Sequence, residues 1–299
     1  MIKIQNLTKT FGQKKALDNI SFNIDAASVF GLVGSNGAGK STLLRILAGV
    51  FRQDGGRILI DGEEPYENIS LKSQIAFVSD FPYFPAGNTL SSNAEYFRKI
   101  YPLWNDAQYK KLLDTFPITQ YQKISAMSKG MQRQAAIILA LSCSPKYILF
   151  DEIFDGLDPV IRELVKKILI DYVEETMATV VIASHNLREL EGFCDHIGLL
   201  HMGGILLEKD IDGDAINLYK LQFVMPDEDF DEIKDELAIV KQSRQGKLTE
   251  ITVKGDIEQI KEKVNSKSPV FLEVLPLTLE ELFISEMEAV GYDINFFTK

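Results

Sequence analysis

The run Gly34-Ser35-Asn36-Gly37-Ala38-Gly39-Lys40-Ser41-Thr42 constrains this chain more than any other stretch of it. It fits G-x-x-x-x-G-K-[ST], and its surroundings fit as well. Val29-Phe30-Gly31-Leu32-Val33 reads as a short buried strand before it, and Leu43, Leu44, Ile46, Leu47 and Ala48 read as an apolar helix after it. The residue types follow from the task. Glycine lets the backbone curl until successive N–H groups converge on one anion, and the helix start adds partial positive charge. Lys40 supplies a point charge for the β- and γ-phosphates, and the Ser41 hydroxyl is placed to ligand Mg²⁺. The loop points to a nucleoside phosphate. It does not choose among kinases, GTPases and transport motors, which share it.

The remaining residues must build a core that presents the loop. The chain has 299 residues, a length that predicts two domains, with one large α/β domain as the alternative; 45% are hydrophobic and 25% charged, a balance that excludes disorder and disulfide scaffolds. Its longest near-continuous apolar stretch, residues 135–143, is far short of the roughly 18 a membrane span needs. No apolar segment follows Met1-Ile2-Lys3-Ile4-Gln5, so no signal peptide is expected. Cys143 and Cys194 have no metal-ligand or CxxC spacing, which predicts reduced thiols in the cytoplasm. The 32 basic and 43 acidic residues give a net charge of −11 without basic runs, so no nucleic-acid partner is expected.

Alternation predicts strands around a turn at Gly12, with Ile2, Ile4 and Leu7 facing one way, followed by Leu17, Ile20, Phe22 and Ile24. More strands are expected at 57–60, 75–79, 147–150 and 179–183. A helix through Val160, Leu164, Ile168 and Tyr172 joins the last two. Between the strands at 75–79 and 147–150, residues 81–142 turn helical, with Pro102 and Pro117 as breaks. The expected first domain, 1–212, is therefore an α/β nucleotide-binding core with a helical block inserted. A polar run at 210–214 predicts a boundary. Beyond it the pattern is strand, helix, two strands, helix, strand and a last helix at 279–289. That order predicts a small ferredoxin-like α+β domain over 213–299.

Four further segments carry chemistry. Tyr147-Ile148-Leu149-Phe150-Asp151-Glu152 is an apolar strand ending in two acids, where Asp151 suits a Mg²⁺ shell and Glu152 suits polarising a water; a solvated acidic pair has the same letters. Met127-Ser128-Lys129-Gly130-Met131-Gln132-Arg133-Gln134 opens an apolar helix. Asp155-Gly156-Leu157-Asp158-Pro159 and Ala183-Ser184-His185 follow downstream. In this order the motifs resemble the ATP-binding cassette (ABC) ATPases over about residues 1–210. Walker A is 34–42, a degenerate signature is 128–132, Walker B is 147–151, the D-loop ends at Asp158, and His185 is the switch histidine. Within that family the chain is similar to motor subunits of bacterial exporters, whose tail resembles Leu277-Thr278-Leu279-Glu280-Glu281-Leu282-Phe283.

The resemblance implies an α/β P-loop cassette, a mixed sheet core plus helical subdomain, that uses ATP and Mg²⁺. It implies that Gly34, Ser35, Asn36, Gly37, Ala38, Gly39, Lys40, Ser41 and Thr42 bind the nucleotide, that Ser41 and Asp151 hold the metal, and that Glu152, His185 and Lys40 are catalytic. Phe11 stands where the family stacks an aromatic on adenine; the alternative is a hairpin aromatic buried in the core. Two cassettes, identical or different, are implied to pair head to tail, so that Ser128, Gly130 and Asp158 of one meet the ATP of the other. Two positions depart from the pattern. Asp80 replaces a glutamine that senses metal and water, and is expected to keep that metal role beside Ser41 and Asp151; the alternative is that it leaves the site. Lys129 and Met131 alter the signature. Phe81, Tyr83, Phe84, Tyr96, Phe97, Tyr101 and Trp104 border the region that in this family receives a membrane permease, which implies a protein peripheral on the cytoplasmic face. Two other readings stay open, a soluble ABC ATPase outside transport and an ATP-dependent regulatory module.

Overall fold

The structure, a computed structural model, describes residues 1–210, 218–275, 277 and 281. It divides into two compact units, Met1–Ile211 and Asp212–Lys299. Apart from residue 281, the expected helix at 279–289 lies outside the described residues, as do most of the tail run 277–283 and of the polar run 210–214.

The first unit begins with β1 (Ile2–Phe11) and β2 (Lys14–Ile24), which form an antiparallel hairpin. Strict alternation would turn Leu7 away from the face holding Ile4. The pairing register shifts between these two residues, and Asn6 lies at φ 49°, so a bulge resets the parity and all of Ile2, Ile4 and Leu7 are buried. β3 (Val29–Val33) follows, then α1 (Lys40–Leu47), β4 (Gly55–Ile60), the single turn α2 (Ile69–Lys72) and β5 (Ile75–Val78). The helical block comprises α3 (Leu90–Ile100), α4 (Asp106–Thr115) and α5 (Lys129–Ser142). Then come β6 (Tyr147–Asp151), α6 (Pro159–Thr176), β7 (Thr179–Ser184), α7 (Leu187–Leu190), β8 (His196–His201) and β9 (Gly204–Asp210).

Two sheets result. A small antiparallel one has the order β2-β1-β4, and a larger one has the order β5-β6-β7-β3-β8-β9. The larger sheet is parallel except for the β8–β9 hairpin. Leu43, Leu44, Ile46 and Leu47 of α1 are all buried, in one cluster with residues of both sheets. These four residues form the broad apolar face of α1, and burying that face carries Lys40, in the first turn, into the fold with it.

Of the expected row of α6, Tyr172 is buried and Leu164 and Ile168 are half-buried, but Val160 is 77% exposed, and Ile161, Val165 and Leu169 complete the buried face. The helix is apolar along two adjacent rows that meet at Tyr172, and the Asp158 cap and Pro159 fix its start.

The second unit holds β10 (Leu218–Val224), α8 (Asp227–Lys234), β11 (Ala238–Gln245), β12 (Leu248–Lys254), α9 (Ile257–Ser266) and β13 (Phe271–Leu275). Its strands form one antiparallel sheet in the order β11-β12-β10-β13. Leu221, Phe223, Ile251 and Val253 pack with Phe230, Ile233, Ile260 and Val264 of the helices, so this unit has its own core.

Candidate functional site

β3 ends where the glycine-rich loop begins, and β6 and β7 end in line with it as neighbours in the parallel sheet. Parallel order therefore gathers Gly34–Thr42, Asp151–Glu152 and His185 at one sheet edge, where the ligands of open α/β sheets bind. At Gly39 the backbone is left-handed, φ 116°, and a Cβ there would stand 2.4 Å from the Ala16 carbonyl oxygen. Only glycine fits.

The charges converge. Lys40 Nζ donates to the Gly34 carbonyl at 2.6 Å and lies 3.2 Å from Glu152 Oε1. The other oxygen of Glu152 lies 2.8 Å from His185 Nδ1 and accepts from the His185 backbone N–H at 3.3 Å. Glu152 itself sits at φ 51°, in the left-handed region that a bulky residue adopts at a cost, and its N–H donates to the Ala183 carbonyl at 2.9 Å. Ser184 Oγ donates to the buried Glu189 at 2.8 Å and accepts from the Asn186 N–H, which holds the turn carrying His185. Ser41 Oγ donates to Asp151 Oδ1 at 3.1 Å. Burial pushes the Asp151 carboxyl above its ordinary value; the Ser41 hydrogen bond counters this in part, and the neighbouring Glu152 adds to it.

A cavity of about 280 Å³ opens over these groups. Of the expected residues it gathers Phe11, Ser35, Asn36, Gly37, Gly39, Lys40, Ser41, Thr42, Asp80 and Glu152 along its walls. Gly34 and Ala38 belong to the same loop, Asp151 joins through Ser41, and His185 joins through Glu152. Phe11 is 46% exposed, with its ring edge-on to Phe51 at 5.6 Å and Lys9 Nζ 5.4 Å from its centroid. That excludes the buried-aromatic alternative. Ser128, Gly130 and Asp158 do not line the cavity. Ser128 caps α5, accepting from the Met131 N–H at 3.2 Å, and Asp158 caps α6, accepting from the Ile161 N–H at 3.0 Å.

Asp80 stands at the cavity wall with its Oδ1 on the guanidinium of Arg133, 2.5 Å away. Sequence reasoning gave Arg133 no role; the available signal was a basic residue inside an otherwise apolar helix. A second, apolar groove of about 140 Å³ is lined by Phe77, Pro82, Tyr83, Phe84, Phe97 and Tyr101 with part of α5. Phe81, Tyr83 and Tyr96 are exposed beside it, whereas Trp104 packs on Tyr109.

A divalent cation fits the donor set. Among the described residues no three His, Cys, Asp or Glu side chains cluster as a self-sufficient metal cage. The available groups are hard oxygens, Ser41 Oγ and the buried Asp151 carboxyl, which is the partial set Mg²⁺ accepts when phosphates complete it.

The family described as ABC transporter matches residues 17–155. The ABC transporter ATP-binding protein YtrB of Bacillus subtilis is 29% identical over 96% of this chain and 98% of its own length. An uncharacterized ABC transporter ATP-binding protein, MJ1023 of Methanocaldococcus jannaschii, is 32% identical over 95% of this chain and 98% of its own. The lantibiotic transport ATP-binding protein SrtF of Streptococcus pyogenes is 34% identical over 71% and 92%. Among solved structures, the dimeric post-hydrolysis state of the ATP-binding cassette MJ0796 bound to ADP and Pi is 25% identical. It superposes with a TM-score of 0.65 over 71% of this chain and 100% of that one.

Proposed function

This chain belongs to the ATP-binding proteins of the ABC transporter family, and from that premise we propose that it is the motor of an exporter, an ATPase that pairs with a second cassette and drives a separate membrane permease from the cytoplasmic face. One observation carries the chemistry. Lys40, Glu152 and His185 form a continuous chain of contacts at one cavity, with Ser41 on Asp151 beside them.

Each group has work that suits its position. The loop 34–42 and the start of α1 present N–H groups and partial positive charge to the phosphates of ATP, and Lys40 adds its own charge. Phe11, exposed on the wall, offers a face for the adenine. Ser41 and Asp151 would hold Mg²⁺, which neutralises phosphate charge when bound. Glu152 accepts the proton of the attacking water, and His185 holds the Glu152 carboxylate by Nδ1. Ser128 and Gly130 stand at the N-terminus of α5, a helix start able to meet the phosphate of an opposing cassette. Residues 213–299 are read as an accessory domain of ferredoxin-like order.

For the permease, the apolar groove beside the exposed Phe81 and Tyr83 offers a seat for a helix of the membrane subunit. Among the described residues no helix is long and apolar enough to cross a membrane. Coexpression with candidate multi-span proteins tests the proposal. A membrane subunit that copurifies and raises phosphate release supports it, and an ATPase that copurifies with none of them removes the transport role.

A further inference from the structure

α5 is buried along most of its length, and Arg133 is buried with it, its side chain 8% exposed. A charge in that position has to be paired. One arm of the guanidinium, NH2, donates to Asp80 twice, to Oδ1 at 2.5 Å and to the carbonyl oxygen at 3.1 Å. The other arm, NH1, donates to the Asp155 carbonyl. One turn earlier, Gly130 leaves room for the same loop, since a Cβ there would stand 2.7 Å from the Gly156 carbonyl oxygen. The Asp155 N–H in turn donates to the Glu152 carbonyl at 3.2 Å. A single planar fork thus joins a carboxylate of the nucleotide cavity, the helix that starts at Ser128, and the turn that follows Glu152. Donors pointing two ways in one plane suit arginine and not lysine.

We propose that Arg133 is a positioning residue of the ATPase reaction, cancelling the Asp80 charge at the cavity wall and tying the 79–81 segment and the 155–156 turn to the start of α5. The proposal rests on the ATPase reading above. Its physical core is that a bare carboxylate beside a triphosphate repels it, and a guanidinium on that carboxylate removes the repulsion. The same guanidinium fixes the backbone three residues past Glu152, so the orientation of Glu152 and the charge of Asp80 depend on one side chain.

A double-mutant cycle on the full chain tests it, with Arg133→Met, Asp80→Asn, the double variant and Arg133→Lys. Affinity for a fluorescent ATP analogue is read with Mg²⁺ and with EDTA, alongside kcat, KM and thermal melting. Arg133→Met is expected to weaken analogue binding about tenfold under both metal conditions, the scale of one screened charge a few ångströms from an anion. Asp80→Asn in the same chain is expected to restore that affinity, while kcat stays about tenfold low because the 155–156 turn is still untied. Arg133→Lys is expected to keep the affinity and lower kcat. Unchanged affinity and kcat in Arg133→Met overturns the proposal, as does an equal affinity loss with and without Asp80. Should Arg133→Met fail to fold, Arg133→Lys decides, and wild-type kcat in that variant overturns the proposal. Failure of the wild-type protein to bind the analogue sinks the ATPase reading itself, a result separable from any pattern among the variants.

Discussion

The two ends of β6 hold carboxylates in opposite electrostatic states. At its start, Asp61 lies against the Tyr147 residue that opens the strand, with Lys146 Nζ 2.5 Å away and the Met1 amino group 3.0 Å away. Burial raises its pKa, but Lys146, the amino group and the Tyr147 hydroxyl outweigh that and hold the carboxyl well below its ordinary value. At the other end, burial pushes Asp151 up and the neighbouring Glu152 adds to it, against the Ser41 hydrogen bond and the weaker pull of Arg45. Five residues of one strand separate an acid held down by cations from one that burial pushes up. A buried carboxyl beside a second acid, at the sheet edge that also holds Lys40, marks the working end of the strand.

The contrast can be broken by substitution at either end. The largest effect is expected for Glu152→Gln. Phosphate release should fall about 10³-fold, within the range for a lost general base, while equilibrium ATP binding is kept. A parallel loss of binding would move Glu152 from chemistry to recognition. Phe11→Ala should weaken ATP about tenfold, the worth of one base stack, with little change in kcat. Titration calorimetry reads this, and unaltered affinity removes the adenine from Phe11.

Asp151→Asn should raise the melting temperature of the nucleotide-free protein at neutral pH and remove the Mg²⁺ dependence of ATP binding. The sign follows from a raised folded pKa. The ionised acid costs stability once pH exceeds its ordinary value of 3.8, so the gain should vanish as melting is followed down below that pH. Asp61→Asn should act in the opposite direction and least, lowering stability by about 0.5 kcal/mol because both partners are solvent-accessible. Its folded pKa is depressed, so its contribution is present at neutral pH and disappears as pH falls below about 4. Melting curves of both variants over pH decide whether the two ends differ as described.

How much of this could be read in advance depended on how local each signal was. The strand, glycine loop and helix at 29–47 were legible because fixed chemistry at fixed spacing leaves few conformations. On α6 the periodicity holds at Tyr172 and fails at Val160, because Val160 and Ile161 are both apolar and the choice between them is made by what the sheet presents. β8 and β9 went unmarked, since His196, Gly198 and His201 interrupt the apolar pattern and the pairing with β3 is long-range. The Asp80–Arg133 pair joins residues 53 apart, and no periodicity could announce it. Phe11 could be placed in the turn before Gly12, but its exposure depends on Phe51, across the fold.

The central claim is that ATP is gripped by the cavity around Lys40 and cleaved there. Equilibrium dialysis of labelled ATP against the wild-type protein and Lys40→Ala, both in Mg²⁺, tests it most directly. The account predicts retention by the wild type and a loss of about a hundredfold or more in affinity when the lysine is removed. Equal retention by the two proteins would contradict it.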